Sequence, residues 1–510
     1  MQEKIPQEVK KIIDIFRVKG FQAFIVGGCV RDLLMGLKPK DWDITTDARP
    51  EKIQEIFPDS FYENEFGTVG IKTGSDDASV SEVQATTFRI EEKYKDKRHP
   101  DVVIFADKLE EDLARRDFTI NAMAFDVKEG KLVDSFGGEK DLKNKLIRTV
   151  GNPEERFSED ALRLLRAIRF ATTLSFELDN KTKEAIVHNA SWLSVIAEER
   201  IRDELLKVIE YTPNEWIKTS EKSKKHSSEL TDKEYWQSPA RAFELMREVG
   251  LLKYILPELE EGYGVTQNKH HTFTVWEHNL KAFAYAVKEN FNWHVRLGAL
   301  LHDVAKPRTK KGEGLDSTYY GHDVVGAKMT AQITTRLHFS KKDIERVTNL
   351  VRYHLFQSDP DKITDSAVRR VVRNVSSDYI WDLINVRLCD RIGSGVPKAE
   401  PYRLRKFLVM LEKALREPIS LKQLKINGGK IMEILKLLPG PRVGWILNSL
   451  MNEVIDDSEK NNLTWLEQRA GELNELSNEE LERFSKEAKE KMEQVEYKKE
   501  EETKKKYWIT

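Results

Sequence analysis

The segment from Phe24 to Thr46 constrains this chain more than any other. An apolar run, Phe24-Ile25-Val26, stops at Gly27-Gly28 and passes at once into a helical pattern with Val30, Leu33 and Leu34 on one face. Two residues without a Cβ let the backbone approach an anion, so that its N–H groups face the charge. The helix that follows adds partial positive charge at the same place, and Arg31 adds a full one. Asp41 and Asp43 come next, at the i, i+2 spacing that puts two carboxylates on one side of a strand. Held that close, they repel unless a divalent cation lies between them. An anion cradle beside paired carboxylates is what two-metal phosphoryl or nucleotidyl transfer needs. Taken alone, Gly-Gly reads first as a tight turn and Asp-Trp-Asp as a solvated loop.

In this order the motifs are more specific. Gly27-Gly28-x-Val30-Arg31-Asp32, then Asp41-x-Asp43-x-x-Thr46, resembles the class II tRNA nucleotidyltransferases (CCA-adding enzymes) and their bacterial poly(A) polymerase relatives. The resemblance implies Mg²⁺ at Asp41 and Asp43, with the nucleotide triphosphate on Gly27, Gly28 and Arg31.

At 510 residues the chain exceeds one core, and two to four domains are expected. Its formal net charge is −2, so a nucleic-acid partner requires local rather than global basic surface. Cys29 and Cys389 are its only cysteines, which suits a reducing cytosol better than a disulfide framework. The segment Met1-Gln2-Glu3-Lys4-Ile5-Pro6 has no apolar core of a signal peptide, and no run nears the ~18 apolar residues that span a bilayer. A cytoplasmic protein without a membrane partner is expected; the oligomeric state is left open.

Val9, Ile12, Ile13 and Phe16 predict a helix over residues 5–19 closed by Gly20, and Pro50 opens another through Ile53, Ile56 and Phe57. Short β-like runs follow at Thr68 to Thr73, Val80 to Ile90 and Val102 to Phe105, giving a mixed head that ends near residue 150. In the second run the resemblance implies an acidic third metal ligand, but Gln84 stands there. Glu82 shares its face and reaches the metals after a small register adjustment; alternatively neither residue touches metal. Glu91 to Pro100 reads as a polar loop: a solvated connection, or by resemblance the flexible loop that helps nucleotide choice change during synthesis. Arg115-Arg116-Asp117-Phe118-Thr119-Ile120-Asn121-Ala122 matches a family pattern without a gap. Its arginines can clamp triphosphate oxygens while Asp117 and Asn121 bond ribose hydroxyls, so Arg116, Asp117 and Asn121 are assigned to the nucleotide; a structural salt-bridge cluster is the alternative.

Residues 158–170 predict one helix with Leu162, Leu165 and Ile168 facing a core and with Asp160 and Arg163 sharing another face. Cytosine and adenine both offer an exocyclic amine donor beside a ring-nitrogen acceptor, which a carboxylate and a guanidinium complement. Uracil and guanine offer the reverse. Glu159-Asp160-x-x-Arg163 resembles the family's protein template; read without the family, it is an ordinary ion pair on a helix surface. The chain then looks helical to about residue 215, with Ile196, Ile201, Leu205, Leu206 and Ile209 as core, and Lys218 to Tyr235 reads as an exposed excursion.

A second set of ligand-type residues lies further on: His278, His302-Asp303, His322, His354 and Asp390. A lone histidine beside an apolar stripe is usually a satisfied core residue, but His…His-Asp…Asp resembles the HD phosphohydrolase domain, with His322 and His354 fitting its two-metal variants. Imidazole and carboxylate ligands suit Mn, Ni, Fe or Mg, and Lys306, Arg308, Lys310 and Lys311 can hold a phosphate. Beyond Asp390, Gly428-Gly429 and Gly440 bracket a short amphipathic helix whose turns can face RNA phosphates or merely punctuate helices.

The expectation is an α+β protein: a polymerase-beta-like nucleotidyltransferase head at 1–150, a helical neck at 151–245, an HD domain at 246–400 and a helical tRNA-binding body at 401–510. The implied activity is template-independent addition of CMP and AMP, from CTP and ATP, to tRNA 3′ ends. A poly(A) polymerase, a CC- or A-adding enzyme, and a non-catalytic RNA-binding protein are the alternatives.

Overall fold

The first helix, Gln7–Val18, buries Val9, Ile12, Ile13 and Phe16, the stripe its sequence spells, and Gly20 ends it at φ +86°. It packs on a sheet whose strands run in chain order β1 (Ala23–Val26), β2 (Asp43–Thr46), β3 (Ser60–Asn64), β4 (Thr68–Lys72) and β5 (Glu82–Thr87). A separate antiparallel hairpin, β6 (Arg89–Tyr94) with β7 (Pro100–Phe105), follows; β8 (Ala124–Asp126) and β9 (Lys131–Val133) then return to the main sheet. The seven main strands lie in the order β3-β4-β5-β2-β1-β8-β9, antiparallel except for the parallel β2–β5 pair. Ile25, Ile44, Val69, Val83 and Ala85 fill one face against the helices. The other face of β2 and β5 carries the polar residues Asp43, Gln84 and Thr86.

The structure, a computed structural model, describes residues 1–510 apart from 65–66, 95–99, 214–215, 217–229, 269–271, 358, 360–362, 397–398, 417–420, 422–423 and 510. The middle of the loop predicted at Glu91 to Pro100 lies outside the described residues; its two ends are strand. Most of the predicted excursion at Lys218 to Tyr235 also lies outside them. Its end is a correction: Thr231 and Glu234 form a capping box on the helix Asp232–Gln237, and Tyr235 is buried with its hydroxyl donating to Glu244.

The chain divides into two units, one of Met1–His354 with Asp382–Ala399, the other of Leu355–Trp381 with Glu400–Thr510. Within the first, a continuous buried core runs from Phe118 to Val351, so the helices after the head share one apolar interior with those that carry the histidines. Within the second, Ile431, Ile446, Leu450, Leu466 and Leu473 form a core, and the short helix expected between the two glycine turns is Gly428–Leu435. The architecture is α+β. Among the described residues no helix is long and apolar enough to cross a membrane.

Candidate active site and metal centre

Gly27 is where the head's polar groups converge. It sits at φ +81° between β1 and the helix Gly28–Leu34, a conformation that favours glycine. A Cβ placed on it would lie 3.0 Å from Arg116 Nη1, 3.7 Å from Asp43 Oδ2 and 3.9 Å from the Asn121 carbonyl oxygen. The bare Cα thus leaves a cradle bounded by a guanidinium and a carboxylate. Asp43 is half-buried at the start of β2, whereas Asp41, two residues earlier, is exposed before the strand begins; the buried Trp42 side chain lies between them in sequence. The donor set, two carboxylates, suits a hard cation such as Mg²⁺, and the cradle supplies space beside one of them. Cys29 is buried beside Asp43; burial first, then Asp43, pushes its thiol up to about 12, so it stays a neutral thiol.

Arg31 donates from Nη1 to Asn121 Oδ1 at 2.8 Å and from Nε and Nη2 to Asp32. Asn121 Nδ2 donates to Asp117 at 3.2 Å, and Asp117 accepts two bonds from Arg166, at 2.8 and 2.6 Å. Burial alone would raise the Asp117 pKa, but the Arg166 guanidinium outweighs it and holds the carboxyl at about 2. Arg166 also faces Glu204, which Arg169 binds at 2.7 Å. Arg31, Asn121 and Asp117 are therefore brought together in one network that runs from the glycine turn into the neck. Arg166, Arg169 and Glu204 were not singled out from sequence, although Arg166 and Arg169 are i, i+3 neighbours on the helix that carries Arg163.

The predicted helix over 158–170 is broken. Pro153–Glu159 is one helix and Leu162–Thr173 the next; Asp160 between them is extended, at φ −140° and ψ 104°. At the break the Asp160 carboxylate accepts from the Leu162 N–H at 3.1 Å, which satisfies one of the free N–H groups at the start of the second helix. Asp160 does not pair with Arg163. It takes a two-pronged contact from Arg200, at 3.2 and 2.8 Å, while the buried Arg163 donates to Glu159, to the Arg156 carbonyl and to the Arg115 carbonyl.

The parallel register pairs Asp43 with Gln84 and continues unbroken to Thr46 and Thr87. The register adjustment expected for Glu82 does not occur: Glu82 is exposed and stands opposite Lys72 of β4.

The second constellation is assembled at helix ends. His278 is buried in Val275–Lys288, which a Thr274–Glu277 capping box opens; His302 follows Trp293–Leu301; His322 begins His322–Arg336; His354 follows Lys341–Tyr353; Asp390 lies in Ile380–Gly393. His302, His322 and His354 each donate from Nδ1 to the carbonyl three residues back, at 2.7, 2.6 and 2.7 Å. A carbonyl only accepts, so each ring must carry its proton on Nδ1 and offer a bare Nε2 when neutral. Those nitrogens converge on carboxylates. His278 Nε2 lies 3.1 Å and His302 Nε2 3.3 Å from Asp303 Oδ2, with Asp390 Oδ1 at 3.4 and 3.6 Å. His322 and His354 approach the other oxygen, Oδ1, at 3.2 and 3.7 Å. Asp303 thus belongs to two ligand sets, His278-His302-Asp303 and Asp303-His322-His354. Burial opposes ionisation of Asp303, but Lys306, at 2.6 Å, and His302 hold its pKa well below the carboxylate range. Among the described residues nothing hydrogen bonds the buried Nε2 atoms of His322 and His354, the condition a metal ion relieves. The residues fit a divalent metal centre.

Three family models match: the poly A polymerase head domain over residues 23–148, the HD domain over 271–384, and the "Probable RNA and SrmB- binding site of polymerase A" over 175–217. The A-adding tRNA nucleotidyltransferase of Deinococcus radiodurans is 33% identical over 443 residues, covering 84% of this chain and 90% of that protein. The CCA-adding enzyme of Ligilactobacillus salivarius is 50% identical over 211 residues, 41% of this chain and 51% of that enzyme, so this alignment spans about half of the relative's length. The crystal structure of the Bacillus stearothermophilus CCA-adding enzyme in complex with CTP superimposes with a TM-score of 0.57 at 26% identity, covering 92% of this chain and 97% of that one. With the glycine turn, the carboxylate strand and the HD histidines all in place, the chain belongs to the family of tRNA nucleotidyltransferases.

Proposed function

We propose that this enzyme adds CMP and AMP to the 3′ end of tRNA, without a nucleic-acid template, in the cytoplasm. The observation that carries the reading is the cradle at Gly27, bounded by Arg116 and Asp43 and wide enough only because Gly27 has no Cβ. In this reading Gly27, Gly28, Arg31 and Arg116 hold the triphosphate, and Asp117 and Asn121 orient the ribose. Asp41 and Asp43 hold Mg²⁺, which when bound lowers the pKa of the tRNA 3′-hydroxyl and neutralises the leaving pyrophosphate. The hydroxyl oxygen bonds to the α-phosphorus as the bond to pyrophosphate breaks; the protein's share is position and charge. Glu159, Asp160 and Arg163 select the base. For Asp160 this requires release from Arg200, because a carboxylate engaged by a guanidinium has less capacity left for an exocyclic amine.

The test is to supply tRNA lacking its terminal CCA, and separately tRNA ending in CC, with each NTP alone and together. Addition of two C and one A, then arrest, supports CCA addition. Extension of the CC-ending substrate alone supports the second reading, A addition, which is favoured by the relative that aligns over most of this chain. An unbounded A tail indicates poly(A) synthesis.

The buried histidine and aspartate cluster supports a second activity. His278, His302, Asp303, His322, His354 and Asp390 would hold one or two divalent ions, with Mn, Ni, Fe or Mg all compatible, and such ions supply an activated water for phosphoester hydrolysis. Metal analysis of the purified protein, followed by phosphodiesterase assays with each ion, tests it.

A further inference from the structure

Asp112 has no exposed surface, and the sequence gives it no role beyond opening an acidic turn. Its two oxygens accept from three side chains. Oδ1 takes Arg115, at 2.9 Å from Nε and 2.7 Å from Nη2; Oδ2 takes Arg116 Nη2 at 3.2 Å and the Thr45 hydroxyl at 3.2 Å. Burial opposes its ionisation, but the two guanidiniums prevail and hold it at about 2, so it is a carboxylate at any working pH.

Each of these partners leads to a different part of the site. Thr45 lies two residues after Asp43 on β2, on the same face of the strand. Arg116 is the guanidinium beside Gly27, and among the described residues Asp112 is the only group that hydrogen bonds its side chain. Arg115 carries the carbonyl that receives Arg163 Nη2, at 3.1 Å. One buried charge therefore ties together the acidic strand, the glycine turn and the start of the neck.

We propose that Asp112 is a positioning residue for the nucleotide triphosphate: it aims Arg116 at the cradle and sets that guanidinium relative to Asp43. The proposal rests on the assignment of Arg116 to the triphosphate. An arginine side chain loses considerable rotamer freedom when it clamps a ligand, and a fixed carboxylate partner removes that cost before the nucleotide arrives. Asp112 touches neither the base nor the glycine turn, so its effect on the triphosphate runs through Arg116, whereas its contacts to Arg115 and Thr45 are the ones a structural role would disturb.

The experiment is a double-mutant cycle with Asp112→Asn and Arg116→Ala, reading equilibrium binding of ATP and of AMP to the full chain and KM for ATP in tRNA extension. Asp112→Asn is expected to weaken ATP binding and raise KM roughly tenfold, with AMP binding changed less than about twofold. In the Arg116→Ala background the Asp112 substitution should add nothing. A purely structural role predicts the opposite pattern: a lower melting temperature, with additive effects on ATP and AMP alike. That additivity, or unchanged ATP binding in Asp112→Asn, overturns the proposal. If Arg116→Ala itself binds ATP normally, the triphosphate assignment fails instead. Asp112→Glu, which displaces the charge by one methylene and keeps it, supplies the same cycle if the amide variant does not accumulate.

Discussion

Asp43 and Gln84 stand side by side as parallel partners on β2 and β5, and the next carboxylate on β5, Glu82, is two residues further along and exposed. Two residues of strand amount to about 7 Å, too far for Glu82 to share an ion with Asp43 without a register slip. Glu82→Gln is therefore expected to keep turnover within about twofold. Gln84→Glu is expected to lower the Mg²⁺ concentration for half-maximal extension, because it places a third carboxylate beside Asp43. A Mg²⁺ titration of both variants checks this, and a large loss in Glu82→Gln would restore Glu82 to the site.

Gly27→Ala meets two obstacles, a φ of +81° and a Cβ 3.0 Å from Arg116 Nη1. The strain is expected to cost about 1 kcal/mol of stability. The displaced guanidinium should reduce kcat/KM for NTP at least roughly tenfold. Steady-state kinetics with thermal melting separates the two.

Asp160→Ala is expected to lose discrimination of CTP and ATP against UTP. Because Arg200 occupies that carboxylate, Arg200→Ala should leave Asp160 freer to meet a base amine, lowering KM for the correct NTP while loosening its orientation. Single-nucleotide incorporation with each NTP distinguishes them; unchanged UTP rejection in Asp160→Ala refutes the template role.

Asp303 contributes to both ligand sets, whereas His322 contributes to one. Asp303→Asn should therefore empty the centre, and His322→Ala should lower metal content without abolishing it. Elemental analysis of the purified variants gives the stoichiometry directly.

Asp117 has its folded pKa depressed from 3.8 to about 2, with burial opposing and Arg166 prevailing. A depressed carboxylate stabilises the folded state fully above its unfolded pKa and loses that contribution as pH falls through the folded one. The Asp117–Arg166 pair should thus contribute about 2 kcal/mol at neutral pH, fading between about pH 4 and pH 2. Comparing the unfolding of the protein with that of Asp117→Asn across that range measures it; a difference that grows on acidification contradicts the sign.

The order of motifs along the chain pointed to the glycine turn, to Asp43 and to the histidine set, because fragments that are ambiguous alone match one family pattern together; Asp41, expected on the strand with Asp43, precedes it. The helix Gln7–Val18 was legible because its apolar spacing already names its buried face. Partner choice was not. Asp160 and Arg163 are three residues apart and suggested a pair, yet a helix break at Asp160 and a guanidinium from Arg200, forty positions away, separate them. Asp112 looked like one more acid in a charged turn until packing surrounded it with Thr45, Arg115 and Arg116. The amino-acid order alone determines which groups exist and which faces are apolar. Which charges meet is decided only by the tertiary structure, because burial makes an unpaired charge too costly and selects the partner from anywhere in the chain.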